Sequence, residues 1–206
     1  MKQFRILIAD DHVLVRRGLA DLLDAERDFT VVGEAANGKE ACEQAKRLKP
    51  DLIIMDLSMP TMNGAEATQA IHAHAPETKI LVLTTFGMSV DVNRALDAGA
   101  SGALVKDTDE DELIEAMRAV LHGKTVLSPA IRAMLQSEPR PPELTGRQRE
   151  ILELTIHGLS SEDISSRLGI STNAVEQHLA AIRNKLGASN RVEAVAIALR
   201  KHLLKI

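Results

Sequence analysis

Short aliphatic runs recur through the first 105 residues: FRILIA (4–9), FTVVGEA (29–35), DLIIM (51–55), KILVLT (79–84) and GALV (102–105). Runs this short, rich in β-branched and aliphatic residues, mark strands buried on both faces. Amphipathic stretches of helical length separate them. Two of these open with capping signals, Asn37 with Glu40 and Asp109 with Glu112. Five strands alternating with five helices predict an α/β fold, an open five-stranded, doubly wound parallel sheet.

The pattern changes after residue 125. SEPRPPE (137–143) holds three prolines and no aliphatic side chain, so it breaks any helix and predicts an interdomain linker. Residues around 126–136 predict a short helix within that linker. Everything beyond reads as helix. Thr145 with Gln148 opens one that Gly158 stops, and Ser160 with Asp163 opens a short one ended by Gly169. Ser171 opens a third, ended by Gly187, and RVEAVAIALRKHLL predicts a fourth. The predicted division is a first domain over 1–123, a linker over 124–142 and a small all-α domain over 143–206.

Composition narrows the setting. The chain has 206 residues, 45% of them apolar, enough for a packed core without disulfides. Its single cysteine, Cys42, forms no internal bridge and lies on an amphipathic stretch as a small core residue. No apolar run approaches the roughly 20 residues of a membrane span. The start, MKQFRILIADDH, meets acid too soon for a signal peptide. A cytoplasmic location is expected. The net charge of -4 is unevenly spread: residues 1–125 hold 14 Lys+Arg against 21 Asp+Glu, and residues 143–206 hold nine against seven. An acidic front and a mildly basic back predict modules with different partners.

Part of the acidic charge falls at strand ends. A parallel sheet points all its strands one way, and ligands bind beyond their carboxyl ends. Asp10 and Asp11 follow the first strand, Asp56 ends the third, Thr84 ends the fourth and Lys106 follows the fifth. Taken singly, an Asp pair is usually a helix cap and a lone Lys a solvated charge. Together, all five meet on one edge. Carboxylates crowded there repel one another unless a counter-charge is supplied. Mg²⁺ is suited to this, because it takes oxygen ligands and bridges to phosphate oxygens. A carboxylate beside it can attack phosphorus and become an acyl phosphate, with Lys106 and Thr84 meeting the phosphoryl oxygens. Pro60 and Gly64 are expected to shape the loop after Asp56, and His12 to be a structural or surface residue.

ADDH (9–12), MDLSMPTMNG (55–64), LTT (83–85) and AGASGALVKD (98–107) resemble the receiver domain of two-component response regulators, over about residues 3–123. The resemblance implies a flavodoxin-like fold with Asp56 as phosphoacceptor. It implies that Asp11, Asp56 and the Ser58 backbone carbonyl hold Mg²⁺, with Asp10 acting through a water. Thr84 is then the switch hydroxyl and Lys106 the lysine that pairs with phosphate. One position departs from the family. Receivers commonly carry an aromatic residue in the fifth strand, which swings inward on phosphorylation; Ala103 stands there, and the chain has no Tyr or Trp.

In the back half, apolar residues at Ile164, Leu168, Ile170, Val175, Leu179 and Ile182 bind two helices across a turn. Periodicity alone leaves open a helix-turn-helix or an ordinary helical bundle. LTGRQREILEL, GLSSEDIS, LGIS, AVEQHL, IRNKLG and RVEAVAIA resemble the LuxR-type helix-turn-helix domain of NarL/FixJ response regulators, over about 144–200. That implies a recognition helix over about 172–186. Phosphate contacts are expected from Thr172, Asn173, His178, Arg183 and Lys185, with Arg191 in addition, and base contacts from Asn173, Glu176, Gln177 and Ala180. A basic residue usually stands where Glu176 does. The last helix (190–201) is a candidate dimer contact, as are the first and last receiver helices, about 13–25 and 110–122.

The combined expectation is a cytoplasmic, Mg²⁺-dependent, phosphorylation-controlled transcriptional regulator. Its partners are a sensor histidine kinase, promoter DNA and a second copy of itself. An Asp-nucleophile phosphohydrolase would need a second acid two residues after Asp56, where Ser58 stands, so no enzyme is expected beyond self-phosphorylation and its reversal. The other rival is a constitutive DNA-binding protein whose first domain serves mainly as a dimerisation scaffold.

Overall fold

The structure is a computed structural model that describes residues 3–85, 89–137, 144–200 and 203, with only the backbone of Arg200. The chain divides into two compact units, 1–139 and 140–206. The proline-rich stretch 138–143 lies outside the described residues, as do 201, 202 and 204–206 of the expected fourth C-terminal helix.

In the first unit, strands β1 (Phe4–Ala9), β2 (Phe29–Ala35), β3 (Leu52–Asp56), β4 (Lys79–Thr84) and β5 (Gly102–Val105) alternate with helices. The helices are α1 (Val13–Asp24), α2 (Gly38–Leu48), α3 (Gly64–His74), α4 (Ser89–Asp97) and α5 (Glu110–Leu121). A sixth strand, β6 (Val126–Leu127), and a helix, α6 (Pro129–Ser137), follow. All strand pairs are parallel, in the order β2-β1-β3-β4-β5-β6. The expected sheet of five strands therefore has six. The first part of the expected linker is a strand and a helix of this unit, with Ile131 and Met134 of α6 buried.

The unbroken apolar runs follow from a sheet covered on both sides. Side chains alternate across a strand. Ile6, Ile8, Leu52, Ile54, Leu81, Leu83 and Leu104 pack with α1 and α5. Leu7, Ala9, Ile53 and Met55 join α2 and α3 on the opposite face, and Val82, Ala103 and Val105 join α4 and α6 there. The expected helix caps form: Asn37 accepts from the Glu40 amide at 2.9 Å and Asp109 from the Glu112 amide at 2.8 Å. Cys42, on α2, is half-buried, and burial pushes its thiol up.

Arg118 of α5 ties that helix to the β2 edge. It binds Asp28 through two hydrogen bonds of 2.9 and 3.0 Å, reaches Glu26 at 2.6 Å and lies 5.6 Å from the Phe29 ring centre. Its hydrogen bond holds the Asp28 carboxyl below the usual range. A carboxyl depressed on folding adds stability above its unfolded pKa, and that stability is lost as pH falls through the folded value. Arg118→Ala is expected to cost about 1 kcal/mol at neutral pH, a modest figure because the pair is partly exposed. Urea denaturation should show parent and variant converging below about pH 4.

The second unit holds α7 (Gly146–Ile156), α8 (Ser161–Leu168), α9 (Thr172–Leu186) and α10 (Arg191–Arg200). Thr145 and Ser160 each complete a capping box, and Ser171 caps α9. Gly169 and Gly187 end their helices in the left-handed conformation, which a Cβ would oppose. Ile151, Leu152, Ile164, Val175, Leu179, Ile182, Ile197 and Ala198 form its core. Among the described residues, no helix is long and apolar enough to cross a membrane.

Candidate functional site

Strand β1 sits between β2 and β3, so the chain leaves it in one direction and returns on its other side. A crevice opens at such a reversal, beyond the carboxyl ends of the strands. Asp10 and Asp11 follow β1 there and Asp56 ends β3. Gly64 sets the loop behind Asp56, since a Cβ on it would fall 2.0 Å from the Asp56 carbonyl oxygen. Its amide donates to the Leu57 carbonyl at 3.1 Å. Thr61, in the same loop, has a φ of 69°, an uncommon conformation for a β-branched residue.

Lys106 joins the acids. Its Nζ lies 2.6 Å from Asp10 Oδ2 and 3.0 Å from Asp56 Oδ2. Its amide donates to the Thr84 carbonyl at 2.8 Å. Asp10, Asp56 and Thr84 are almost wholly buried. Burial pushes the Asp56 carboxyl up and the neighbouring Asp10 charge adds to this, while Lys106 and the Ser58 amide oppose it. For Lys106, burial pulls the amine down, but its bonds to the two carboxylates outweigh this and the net direction is up. The amine therefore stays charged at neutral pH.

One ammonium does not balance three carboxylates. Ligand atoms of Asp10, Asp11, His12 and Asp56 lie within 4.8 Å of one another. Among the described residues, the neighbours of the buried oxygens Asp11 Oδ1 and Asp56 Oδ2 are ion-pair partners, His12 Nδ1 at 2.7 Å and Lys106 Nζ at 3.0 Å. Buried carboxylate oxygens with unused acceptor capacity and excess negative charge fit a hard divalent cation such as Mg²⁺. His12, expected to be a structural or surface residue, has an exposed imidazole paired with Asp11, and its amide donates to Asp10 Oδ1 at 2.8 Å. A second feature the sequence did not reveal is Arg16, which donates to the Asp10 carbonyl at 2.7 Å and pairs with Glu34 at 2.9 Å.

In the second unit, α9 buries Val175, Leu179, Ile182 and Leu186. Asn173, Glu176, Gln177, Asn184 and Lys185 are exposed, and Ala180 and His178 partly so. The expected residues are not equally available. Glu176 Oε1 accepts from the Ser161 hydroxyl at 2.5 Å, which pins it to the start of α8. Lys185 donates to Gln148 at 3.0 Å and Thr172 to Ser165 at 3.2 Å. Arg191 donates to the Leu159 carbonyl at 2.5 Å and to Thr155 at 3.3 Å, so it braces α10 against the end of α7.

Residues 6–118 match the response regulator receiver domain, and residues 142–198 match the luxR family of bacterial regulatory proteins. The chain belongs to the response regulators that join a receiver domain to a LuxR-type helix-turn-helix domain. It is 39% identical over 210 residues to the transcriptional regulatory protein YdfI of Bacillus subtilis (strain 168), covering 98% of each chain. With the response regulator protein VraR of Staphylococcus aureus it shares 37% over 206 residues, covering 98% of this chain and 99% of VraR. Among solved structures, the response regulator ChrA of a heme-sensing two-component system is 36% identical, with a TM-score of 0.59 over 99% of this chain and 100% of ChrA. RcsB from Salmonella enterica serovar Typhimurium, bound to promoter P1flhDC in the presence of the phosphomimetic BeF₃⁻, gives a TM-score of 0.70 at 25% identity, over 98% of this chain and 100% of RcsB. These relatives are response or transcriptional regulators.

Proposed function

We propose that this protein is a transcriptional regulator whose DNA binding is controlled by phosphorylation of Asp56, with a sensor histidine kinase as donor. The observation that carries the reading is the buried Asp10–Lys106–Asp56 cluster at the sheet's reversal point, in a chain that also carries a helix-turn-helix. An Asp56 oxygen attacks phosphorus, the donor's P–N bond breaks with its electron pair leaving on the histidine nitrogen, and an acyl phosphate forms. Asp11, Asp56 and the Ser58 carbonyl would hold Mg²⁺, with Asp10 acting through a water; the ion supplies charge neutralisation for the phosphoryl oxygens. Lys106 already spans Asp10 and Asp56 and can shift its pairing to the new phosphate. The Thr84 hydroxyl, now donating to the Thr85 carbonyl at 3.2 Å, is the donor that turns toward a phosphoryl oxygen. Phosphorylation replaces the single negative charge of the Asp56 carboxylate with an acyl phosphate of about -1.5 to -2, a net gain of roughly one half to one negative charge at an already crowded edge, which drives the rearrangement. A cytoplasmic location is part of this reading.

DNA binding is assigned to α9 lying in a major groove. The RcsB complex with promoter DNA and a phosphomimetic supports the same use here. Selection of DNA from a random pool by the phosphorylated chain should yield two half-sites about one helical turn apart. Failure to enrich any sequence would count against the reading.

The active form is proposed to be a homodimer. Among the described residues, the large apolar side chains left exposed are Val13 and Leu14 on α1 and Val192 on α10. Leu14, 81% exposed, is the better candidate on the receiver. Light scattering should show that beryllium fluoride with Mg²⁺ raises the molar mass of the parent, and that Leu14→Asp weakens the response. A parent that stays monomeric in both states would remove dimerisation from the account.

A further inference from the structure

The departure at Ala103 and the β6–α6 segment lie at the same place. β6 runs beside β5 with Val126 opposite Gly102 and Leu127 opposite Ala103. The Ser128 amide then donates to the Ala103 carbonyl at 3.1 Å. Ser128 is buried, and its hydroxyl accepts from the Ile131 amide at 3.3 Å, which starts α6. The close approach depends on Gly102, where a Cβ would meet the Val126 carbonyl oxygen at 2.5 Å.

From there α6 sends Ile131 and Met134 into the cluster that holds Ala103, Val82 and Val105 of the sheet and Val92 and Ala95 of α4. Ala103 is fully buried in it. A ring at that position would compete with α6 for the same space. The cluster also reaches the acidic edge. Leu57, the residue after Asp56, belongs to it, as does Val105, the residue before Lys106. Movement of the Asp56 loop or of the Lys106 strand end is therefore felt directly by the floor on which α6 sits.

We propose that α6 is the receiver's output latch, seated where the family's switching aromatic side chain is missing and loosened when Asp56 is phosphorylated. This rests on the proposed phosphorylation of Asp56. Packed cores shift between discrete arrangements rather than deforming smoothly, so a small change at Leu57 and Val105 is enough to unseat a short helix. The proline-rich stretch to the second unit begins where α6 ends. Unseating residues 126–137 lengthens that tether by up to about 40 Å at full extension. The helix-turn-helix then gains the freedom to pair with a second copy on DNA, without any aromatic switch.

Hydrogen exchange on the full chain tests this, with phosphate on Asp56 verified by intact mass and DNA affinity measured on the same sample. Amides of 126–137 should exchange roughly tenfold faster after phosphorylation, while those of β1 and β3 stay unchanged. Ile131→Ala should speed exchange of the same segment without phosphate and narrow the affinity difference between the two states. If phosphate is present and DNA affinity rises while exchange of 126–137 is unaltered, the latch is wrong and the proposed function stands. If Asp56 takes up no phosphate, both fall together.

Discussion

Asp56→Asn should take up no phosphoryl group from acetyl phosphate and Mg²⁺, whereas the parent should gain one by intact mass. This is the largest effect expected of any single change. The amide is isosteric, so it stays in the pocket at the end of β3, but it lacks the charge that makes the carboxylate a nucleophile. Chelating the metal should stop uptake by the parent as well, because the crowded carboxylates then have only Lys106 to offset them. Lys106→Ala should leave some uptake, since it removes a partner of the phosphate and not the attacking atom, but should weaken the response that follows. Undiminished labelling of Asp56→Asn would place the phosphate elsewhere and undo the assignment of the site.

Gln177→Ala should lose roughly 1–3 kcal/mol on the preferred DNA site and almost nothing on random DNA. Gln177 is exposed on the first half of α9, beside Asn173 and one turn before Ala180, and its amide can pair with both adenine edge atoms. Glu176 behaves differently. It is held by Ser161 at 2.5 Å, and with α9 in a major groove as proposed it would present a negative charge close to DNA phosphates. Its expected base contact competes with that bond. Glu176→Lys should raise affinity for random DNA and steepen the dependence on salt, because one more phosphate becomes paired. Fluorescence anisotropy on specific and random duplexes over a salt series separates the two effects. If both variants bind like the parent, α9 is not the reading helix.

Much of this was legible in the chain because it follows local rules. LIIM before Asp56 reads as a buried strand since both its faces are covered, and strand ends collect ligands in any parallel sheet. The caps at Asn37, Asp109, Thr145, Ser160 and Ser171 each involve a residue and the amide three positions on, and all formed. What escaped depends on distant partners. Val126–Leu127 is too short to declare itself a strand, and its place beside β5 depends on Gly102, whose missing Cβ makes the approach possible. The amphipathic residues of α6 were visible, but not the α4–β5 surface that receives them. Lys106 was placed at the correct edge, yet its bridge between Asp10 and Asp56 joins three separate strands. The Ser161–Glu176 bond crosses the turn between α8 and α9, and nothing in the spacing announces it.

The central claim is that phosphate on Asp56 controls DNA binding. Affinity of the full chain for its selected site, with and without beryllium fluoride and Mg²⁺, measures this directly when Asp56→Asn is run beside the parent. The parent should tighten by roughly 5- to 150-fold, the span of a coupling free energy of about 1–3 kcal/mol, and Asp56→Asn should stay at the untreated value. Equal affinity of the parent in both states would contradict the account and leave a constitutive DNA-binding protein with the receiver as its scaffold.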